Sequence, residues 1–492
     1  MNAYSDFERQ GPVQRSALIL VACLLLTLTL MSASAQQSDP NAGLVPDTQI
    51  DGPALEFDFP GMLIGTAEYA EGPTGTTVFY FPERVMAAVD VRGGAPGTIN
   101  TDLLRLGYET RYTNAIALSG GSAYGLGAAT GVAQEIKTLL DDPGWWTSIP
   151  VVSGAIIFDL GGRRYNAVTP DERLGRAAIR AGRPGFFPLG AQGAGRFAMQ
   201  GGYYKARQHS GQGAAFAQYG DVRIAAFTVV NSFGGVVGRD GRFVRCDIPV
   251  SSDCPDASSV LRASAEDKSN AEDPQRGLTS NTTISLVVTN QKLSFAELQR
   301  FAMQVHTSMG RAIQPFHTIN DGDTLFAITT ADVESGGMSI EQLGVQASEL
   351  MWDAVLSSVP EISPPAVADD TASTVNDMLK YTGTYEFAPG MQATVSMRAG
   401  RLLILAPDRD SMYLPAGSTT TLIPVSGDDF VLQTQRADVL RFEVDSSRDD
   451  GGDHSADEGV DRGAAVTGLV INPGRWPVKA VRTEKVPASS PG

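Results

Sequence analysis

From Met62 to about Val359 the chain alternates between short apolar runs and glycine-bearing turns, with stretches of helical spacing between them. GTTVFYFP (75–82), MAAVDV (86–91), NAIAL (114–118), VRIAAFTVV (222–230) and TTISLVVT (282–289) are apolar or β-branched over strand length, which is the pattern of buried strands. Two helices are marked by their caps. Ser294 with Glu297 forms a capping box ahead of Leu298, Phe301, Ala302, Val305 and Met309. Ser339 with Gln342 opens a second, ahead of Leu343, Leu350, Met351 and Val355. Buried strands and amphipathic helices together predict a layered α/β domain over residues 36–358.

Two segments break the pattern. Residues 239–280 are polar, charged and rich in Ser and Asp, and read as a long exposed loop. Residues 359–375, with PPAVADDTAST, read as a linker. Beyond it, runs such as TVSMR, RLLILAP, DDFVLQT and VLRFEV alternate in the manner of short strands, predicting a small all-β domain over 376–486. The acidic stretch Asp445–Asp461 reads as a solvated insert.

The first 35 residues have a different character. Arg9 and Arg15 precede an apolar run from Ala17 to Met31, which ends in Ala33-Ser34-Ala35. A basic start, an apolar stretch shorter than the ~20 residues of a spanning helix and an A-x-A end predict a secretory signal cleaved after Ala35. LVAC, ending at Cys23, offers a lipoprotein alternative, but the apolar run continues past it. Export leaves Cys246 and Cys254 as a candidate disulfide. The four histidines are scattered and no zinc spacing occurs, so neither a metal nor a cofactor is expected. At 492 residues and 42% hydrophobic the chain can bury a large core, and its net charge of −17 argues against nucleic acid as a partner.

Familiar catalytic motifs are missing. There is no G-x-S-x-G, no S-x-x-K, no HExxH and no P-loop. Gly125, Gly127 and Gly131 loosely imitate a dinucleotide turn, but the third glycine is one position late, and close packing is the simpler use. Asn281-Thr282-Thr283 stands where the polar segment meets a buried strand. Thr282 fits an ordinary strand residue, and Asn281 a glycosylation sequon. It also fits a nucleophile freed by cleavage of the preceding bond, because a threonine with its own α-amine needs no histidine. Asp321-Gly322-Asp323 is ordinarily a turn, or else a carboxylate pair able to position that threonine.

Taken jointly, VDVRGGAPGT (89–98), NAIALSGGSAYGLGAATGV (114–132), PVVSGAIIFDL (150–160), VVNSFGGVVG (229–238), NTTISLVVTN (281–290) and IQPFHTINDGDTLFAITT (313–330) resemble the L-aminopeptidase/D-esterase family, which includes β-peptidyl aminopeptidases and the nylon-oligomer endo-hydrolase. The resemblance implies a four-layer αββα sandwich of the N-terminal-nucleophile type, cut by itself into two chains that stay together. It implies Asn281–Thr282 as the scissile bond, Thr282 as nucleophile, Asp321 and Asp323 as its acidic pair, and Asn231 as oxyanion donor. Tyr124, Phe158 and Lys205 are implied for the substrate pocket. Phe158 stands where the family has a tyrosine, and GAGRFAMQGGYYK (193–205) departs from a GAGTG-type stretch, with Lys205 offset from the expected lysine. The tail, with YTGTY (381–385), resembles the small β-domain appended to exported β-lactamase-like hydrolases. The expected activity is hydrolysis of small peptides or amides through an acyl-enzyme, in a homo-oligomer held by no membrane once the signal is removed. The alternative is a binding or scaffold protein on the same fold, catalytically weakened.

Overall fold

The computed structural model describes residues 39–109, 111–140, 144–163, 165–204, 208–246, 254–264, 281–334, 337–359, 375–406, 414, 416–433, 438–445, 465–472 and 477–484. Contacts within the chain separate Met1–Gly43 from Leu44–Gly492. The segment read as a signal, with Cys23, as well as Lys205, residues 247–253 and 265–280, and most of the expected linker, lie outside the described residues.

Ten strands form one mixed sheet. They are β1 (Leu63–Tyr69), β2 (Thr74–Val91), β3 (Thr98–Ile99), β4 (Tyr112–Ser119), β5 (Val152–Ile156), β6 (Arg183–Pro184), β7 (Gln212–Tyr219), β8 (Val222–Asn231), β9 (Thr282–Gln291) and β10 (Thr324–Val333). The order is β7-β8-β9-β10-β2-β4-β5-β3, with β1 on β2 and β6 on β1. Strand β2 serves both halves. Its first part pairs with β1 and β4, its last part with β10, and its register on β4 shifts between Tyr80 and Val85.

The period of two sorts the side chains into three apolar layers. Phe79, Ile116, Leu118, Phe227, Ile284, Leu286 and Phe326 share the central cluster, where the two halves of the sheet face each other. Val78, Ala115 and Ala117 point the other way, onto α1 (Gly127–Leu139) and α2 (Glu172–Arg180). From the second half, Val287, Leu325 and Ala327 face α4 (Phe295–Ser308) and α5 (Ile340–Ser357). The expected αββα arrangement follows from that alternation. Both capping boxes form as the sequence predicts, each such cap contributing about 1 kcal/mol.

The glycine run packs helix against helix rather than cradling a phosphate. A Cβ on Gly131 would stand 2.0 Å from the Glu172 carbonyl, and one on Gly175 would stand 2.0 Å from that of Ala128. Only bare backbone lets α1 and α2 approach so closely.

The 239–280 segment is less of a loop than its polarity predicts. Val237 bridges to Phe243 and Arg242 to Asp256, and α3 (Ala257–Ser264) follows. Cys246 and Cys254 are joined in a disulfide, and Val237, Phe243, Cys254 and Ala257 are buried together. Periodicity over so short a stretch does not reveal a core of four residues.

The C-terminal strands close into an antiparallel barrel of β11 (Gly383–Ala388), β12 (Met391–Arg398), β13 (Arg401–Leu405), β14 (Thr419–Ser426), β15 (Asp429–Leu432), β16 (Val439–Asp445), β17 (Ala465–Ile471) and β18 (Val478–Glu484). Closure leaves no sheet edge to aggregate. Tyr385, Ile404, Leu422, Leu440, Phe442 and Leu469 are buried within it. Arg196, in the departing GAGRFAMQGG stretch, pairs with Glu68 at 2.9 Å and donates to the Pro477 carbonyl at the start of β18. That residue ties the layered domain to the barrel. Among the described residues no helix is long and apolar enough to cross a membrane.

Candidate active site

Strand β8 runs antiparallel to β9, and β10 runs parallel to it. The end of β8 therefore meets the beginnings of β9 and β10 at one edge of the layer. Asn231 lies directly across from Thr282, and Thr324 is the partner of Ile284. Residues about 50 and 40 positions apart in sequence are gathered by strand direction alone. Asn281 also bridges to Asp321.

The Asn281–Thr282 bond is fixed on both sides. The Thr282 hydroxyl donates to the Asn281 carbonyl at 2.5 Å, and the Gly322 N–H donates to the same oxygen at 2.8 Å. The Asn281 N–H is held by the Asn320 carbonyl at 3.1 Å. Thr282 is 2% exposed. A Cβ on Gly322 would stand 2.6 Å from the Thr282 hydroxyl oxygen and 2.8 Å from the Ala95 carbonyl. The glycine between the two aspartates is what allows Thr282 and the turn to touch.

The RGGAPG loop after β2 caps this turn. Arg92 and Gly93 N–H groups donate to the Asp323 carbonyl at 3.1 and 3.2 Å, and the Ala95 N–H donates to that of Asp321 at 2.8 Å. At Gly93 a Cβ would lie 2.3 Å from the Asp323 nitrogen.

The two carboxylates are buried and engaged, but neither bonds the Thr282 hydroxyl. Asp321 accepts from the Thr318 N–H at 3.1 Å, the Thr318 hydroxyl at 2.6 Å and the Phe233 N–H at 3.3 Å. Asp323 accepts from the Thr283 N–H at 2.8 Å and the His317 N–H at 3.0 Å, and faces His317 Nδ1 at 3.1 Å. Burial first, and then the neighbouring charge of Asp323, push Asp321 up to about 6. A carboxyl so poised can exchange a proton near neutral pH.

Asn231 accepts from the Met199 N–H at 3.0 Å and donates its amide to the Phe158 carbonyl at 3.0 Å. Asn231 is thus paired with Thr282 while its amide is turned to the backbone of the FDL segment. Phe158 contributes this carbonyl. Tyr124 lies in a short turn, 64% exposed, and no contact joins it to Thr282. Tyr203 and Tyr204 run along the turn after β8, the Tyr203 N–H donating to the Phe233 carbonyl at 2.8 Å.

Thr318, the Phe233 N–H, His317 and the Gly322 N–H escape sequence reasoning. Backbone donors carry no side-chain signal, and a lone histidine or threonine before a turn reads as surface. Among the described residues no cluster of three or more His, Cys, Asp or Glu could hold a metal ion.

Residues 57–374 match the family model described as Peptidase family S58. The chain is 43% identical over 318 residues to the 6-aminohexanoate-oligomer endohydrolase of Paenarthrobacter ureafaciens, covering 62% of this chain and 85% of that one. It is 42% identical to the protein of that name from Kocuria sp., covering 64% and 88%. An uncharacterized aminopeptidase of Mycobacterium leprae is 33% identical, over 58% and 82%. The solved L-aminopeptidase D-Ala-esterase/amidase of Ochrobactrum anthropi aligns at TM-score 0.44 and 16% identity, over 64% and 88%. The chain belongs to peptidase family S58, and it is a hydrolase of amide or peptide bonds.

Proposed function

We propose that the chain is an exported, self-cleaving hydrolase whose nucleophile is Thr282 and whose substrates are small peptides or oligomeric amides. The observation that carries this reading is the Thr282 hydroxyl held at 2.5 Å from the Asn281 carbonyl oxygen, with the Gly322 N–H on that same oxygen. A hydroxyl so placed attacks the carbonyl carbon of its own preceding bond. The Gly322 N–H then stabilises the oxyanion. Collapse breaks the Asn281–Thr282 C–N bond, leaving an ester on the Thr282 oxygen and a free α-amine. Water hydrolyses the ester.

The same oxygen serves in turnover. The α-amine of Thr282 takes the hydroxyl proton, the oxygen adds to the substrate carbonyl, and the leaving amine departs with a proton. Water releases the acyl group. Asn231 can add an oxyanion donor once its amide turns from Phe158, and Asp321 lies across from Asn281 as a proton acceptor.

The names of the relatives favour linear amides of amino acids as substrates. The Cys246–Cys254 disulfide supports an oxidising compartment, and with it the signal at 1–35. The partners of this reading are the enzyme's own second chain and further copies of itself. Exposed Tyr108, Tyr112, Trp145 and Trp146 are side chains an interface would cover. The net charge of −17 supports the absence of nucleic acid.

The test is the purified protein on a denaturing gel, with the amino terminus of the smaller band sequenced. Wild type is expected as two chains, the second beginning at Thr282, and Thr282→Ala as one. That variant is expected to lose at least about 10³-fold in amide hydrolysis across a panel of aminoacyl amides and 6-aminohexanoate oligomers. A wild type that stays whole ends the reading. One that cleaves but turns over nothing in the panel favours the binding alternative.

A further inference from the structure

Two histidines, His306 buried and His317 half-buried, stand behind the acidic turn, and nothing in the reaction above uses them. His306, on α4, turns Nδ1 to Asp90 Oδ2 at 2.9 Å, and the same oxygen receives Arg92 Nε at 2.6 Å. His317 lies against it, ring centroids 4.4 Å apart and nearly perpendicular at 80°. Neither Nε2 has a hydrogen-bond partner among the described residues.

We propose that His317 is a positioning residue, holding the Asp323 carboxylate and through it the Thr283 N–H, so that Thr282 stays aimed at the carbonyl it attacks. The inference rests on the reading of Thr282 as nucleophile.

The turn itself is the first argument. His317 has a left-handed backbone, with φ of +57°, which for a residue with a Cβ costs on the order of 1 kcal/mol or more. The return is that its N–H and its ring reach one carboxylate oxygen, at 3.0 and 3.1 Å. A residue of any type could supply the N–H. Only a side-chain donor of imidazole-like reach supplies the second bond.

Burial is the second argument. Asp323 is fully buried, and His317 Nδ1 faces its carboxylate at 3.1 Å. Its other oxygen is already committed to the Thr283 N–H, one residue past the nucleophile. A buried carboxylate with one oxygen on each side acts as a strut between His317 and β9. Releasing one end frees the other to rotate, and a shift of about 1 Å at a reacting centre can cost about 10² in rate.

His306 completes the strut. Its Nδ1 is satisfied by Asp90, so it does not compete for Asp323, and its ring walls His317 on the helix side. Burial holds its proton affinity below the usual imidazole range despite the Asp90 bond. His306 is therefore neutral near pH 7 and leaves the His317–Asp323 bond unopposed. The charged groups facing the pair are Asp90 from β2, Arg92 from the loop after it, and Asp323 from the turn.

The experiment uses the full chain and two near-isosteric variants. His317→Asn places an amide N–H where Nδ1 stands, and His317→Gln places it where Nε2 stands, out of line with Asp323. The readouts are the half-time of self-cleavage after cell-free synthesis, kcat and KM on the amide that wild type hydrolyses best, and Tm. We expect His317→Gln to slow cleavage and lower kcat about 10–100-fold with KM and Tm little changed. His317→Asn should retain most of both rates.

If Asn and Gln variants behave alike, fast or slow, the positioning role is wrong. A rise in KM at constant kcat would instead make His317 a substrate contact and overturn the inference. A loss of Tm with unchanged rates assigns it to stability alone, with the same result. Wild type cleaving at Thr282 while His317→Gln cleaves equally fast removes this inference and leaves the nucleophile. Wild type that stays whole removes both.

Discussion

Asp159 and Asp321 are buried alike, each 1% exposed, yet their surroundings differ in kind. Asp159 meets the buried guanidinium of Arg163 at 3.2 Å, the Thr74 hydroxyl at 2.9 Å and the Gly121 N–H at 2.9 Å. Arg163 in turn donates to the carbonyls of Gly72 and Val168. Every charge there is matched, and the cluster pins the glycine turn to the sheet. Asp321 has hydrogen-bond donors but a second carboxylate for a neighbour, and burial first, then the charge of Asp323, raises its proton affinity. Burial alone does not make an acid reactive. What decides is whether the fold also supplies the opposite charge.

The contrast is broken most forcefully at Asp159. Asp159→Ala strands the Arg163 guanidinium in the core and is expected to cost about 3–5 kcal/mol in urea unfolding, whereas replacing both members with apolar residues should recover much of that. A loss below 1 kcal/mol would mean that the matched cluster is not structural. Next in size is Gly322→Ala. The added methyl displaces the Thr282 hydroxyl and the donor on the Asn281 carbonyl, so self-cleavage should slow by about 10²–10³. Tm should fall as well, because the added Cβ would stand 2.8 Å from the backbone carbonyl oxygen of Ala95. An unslowed variant would remove Gly322 from the oxyanion site.

The mildest effect is expected at Asp321. Its raised proton affinity means that between about pH 4 and pH 6 the folded chain keeps a proton that the unfolded chain releases. Ionisation therefore works against the fold, and stability falls as pH rises through that window. Asp321→Asn should abolish this slope and raise stability above pH 6 by about 1 kcal/mol, while lowering hydrolysis. Tm measured from pH 4 to 7.5 in both proteins checks the sign. A wild-type Tm that climbs across that range would place the matched and unmatched acids in the same class.

Much of the architecture was legible in the sequence. Long apolar runs at 75–82, 222–230 and 282–289 became central strands because nothing else accommodates side chains apolar on both faces. The capping boxes at Ser294 and Ser339 set helix starts through bonds made within four residues. Within 239–264 the bridge at Arg242 and the helix α3 were not legible, because Phe243, Cys254 and Ala257, scattered among charges, leave no period to read. Arg196 departs from the family stretch, and its role is visible only with Pro477 beside it.

At the site, the residue types that can do chemistry were visible as letters: Asn231, Thr282 and the Asp321–Asp323 pair. Pattern and resemblance could assemble them, because β9 must carry its first residue to the sheet edge and the turn before β10 must be polar. The three-dimensional chain added what has no letter. It chose the Gly322 N–H as donor, turned the Asn231 amide toward Phe158, and set His317 and His306 behind Asp323. Such contacts join residues by strand direction and backbone geometry over separations that local sequence does not encode. Composition and spacing act along the chain, while hydrogen bonds and charges act through space.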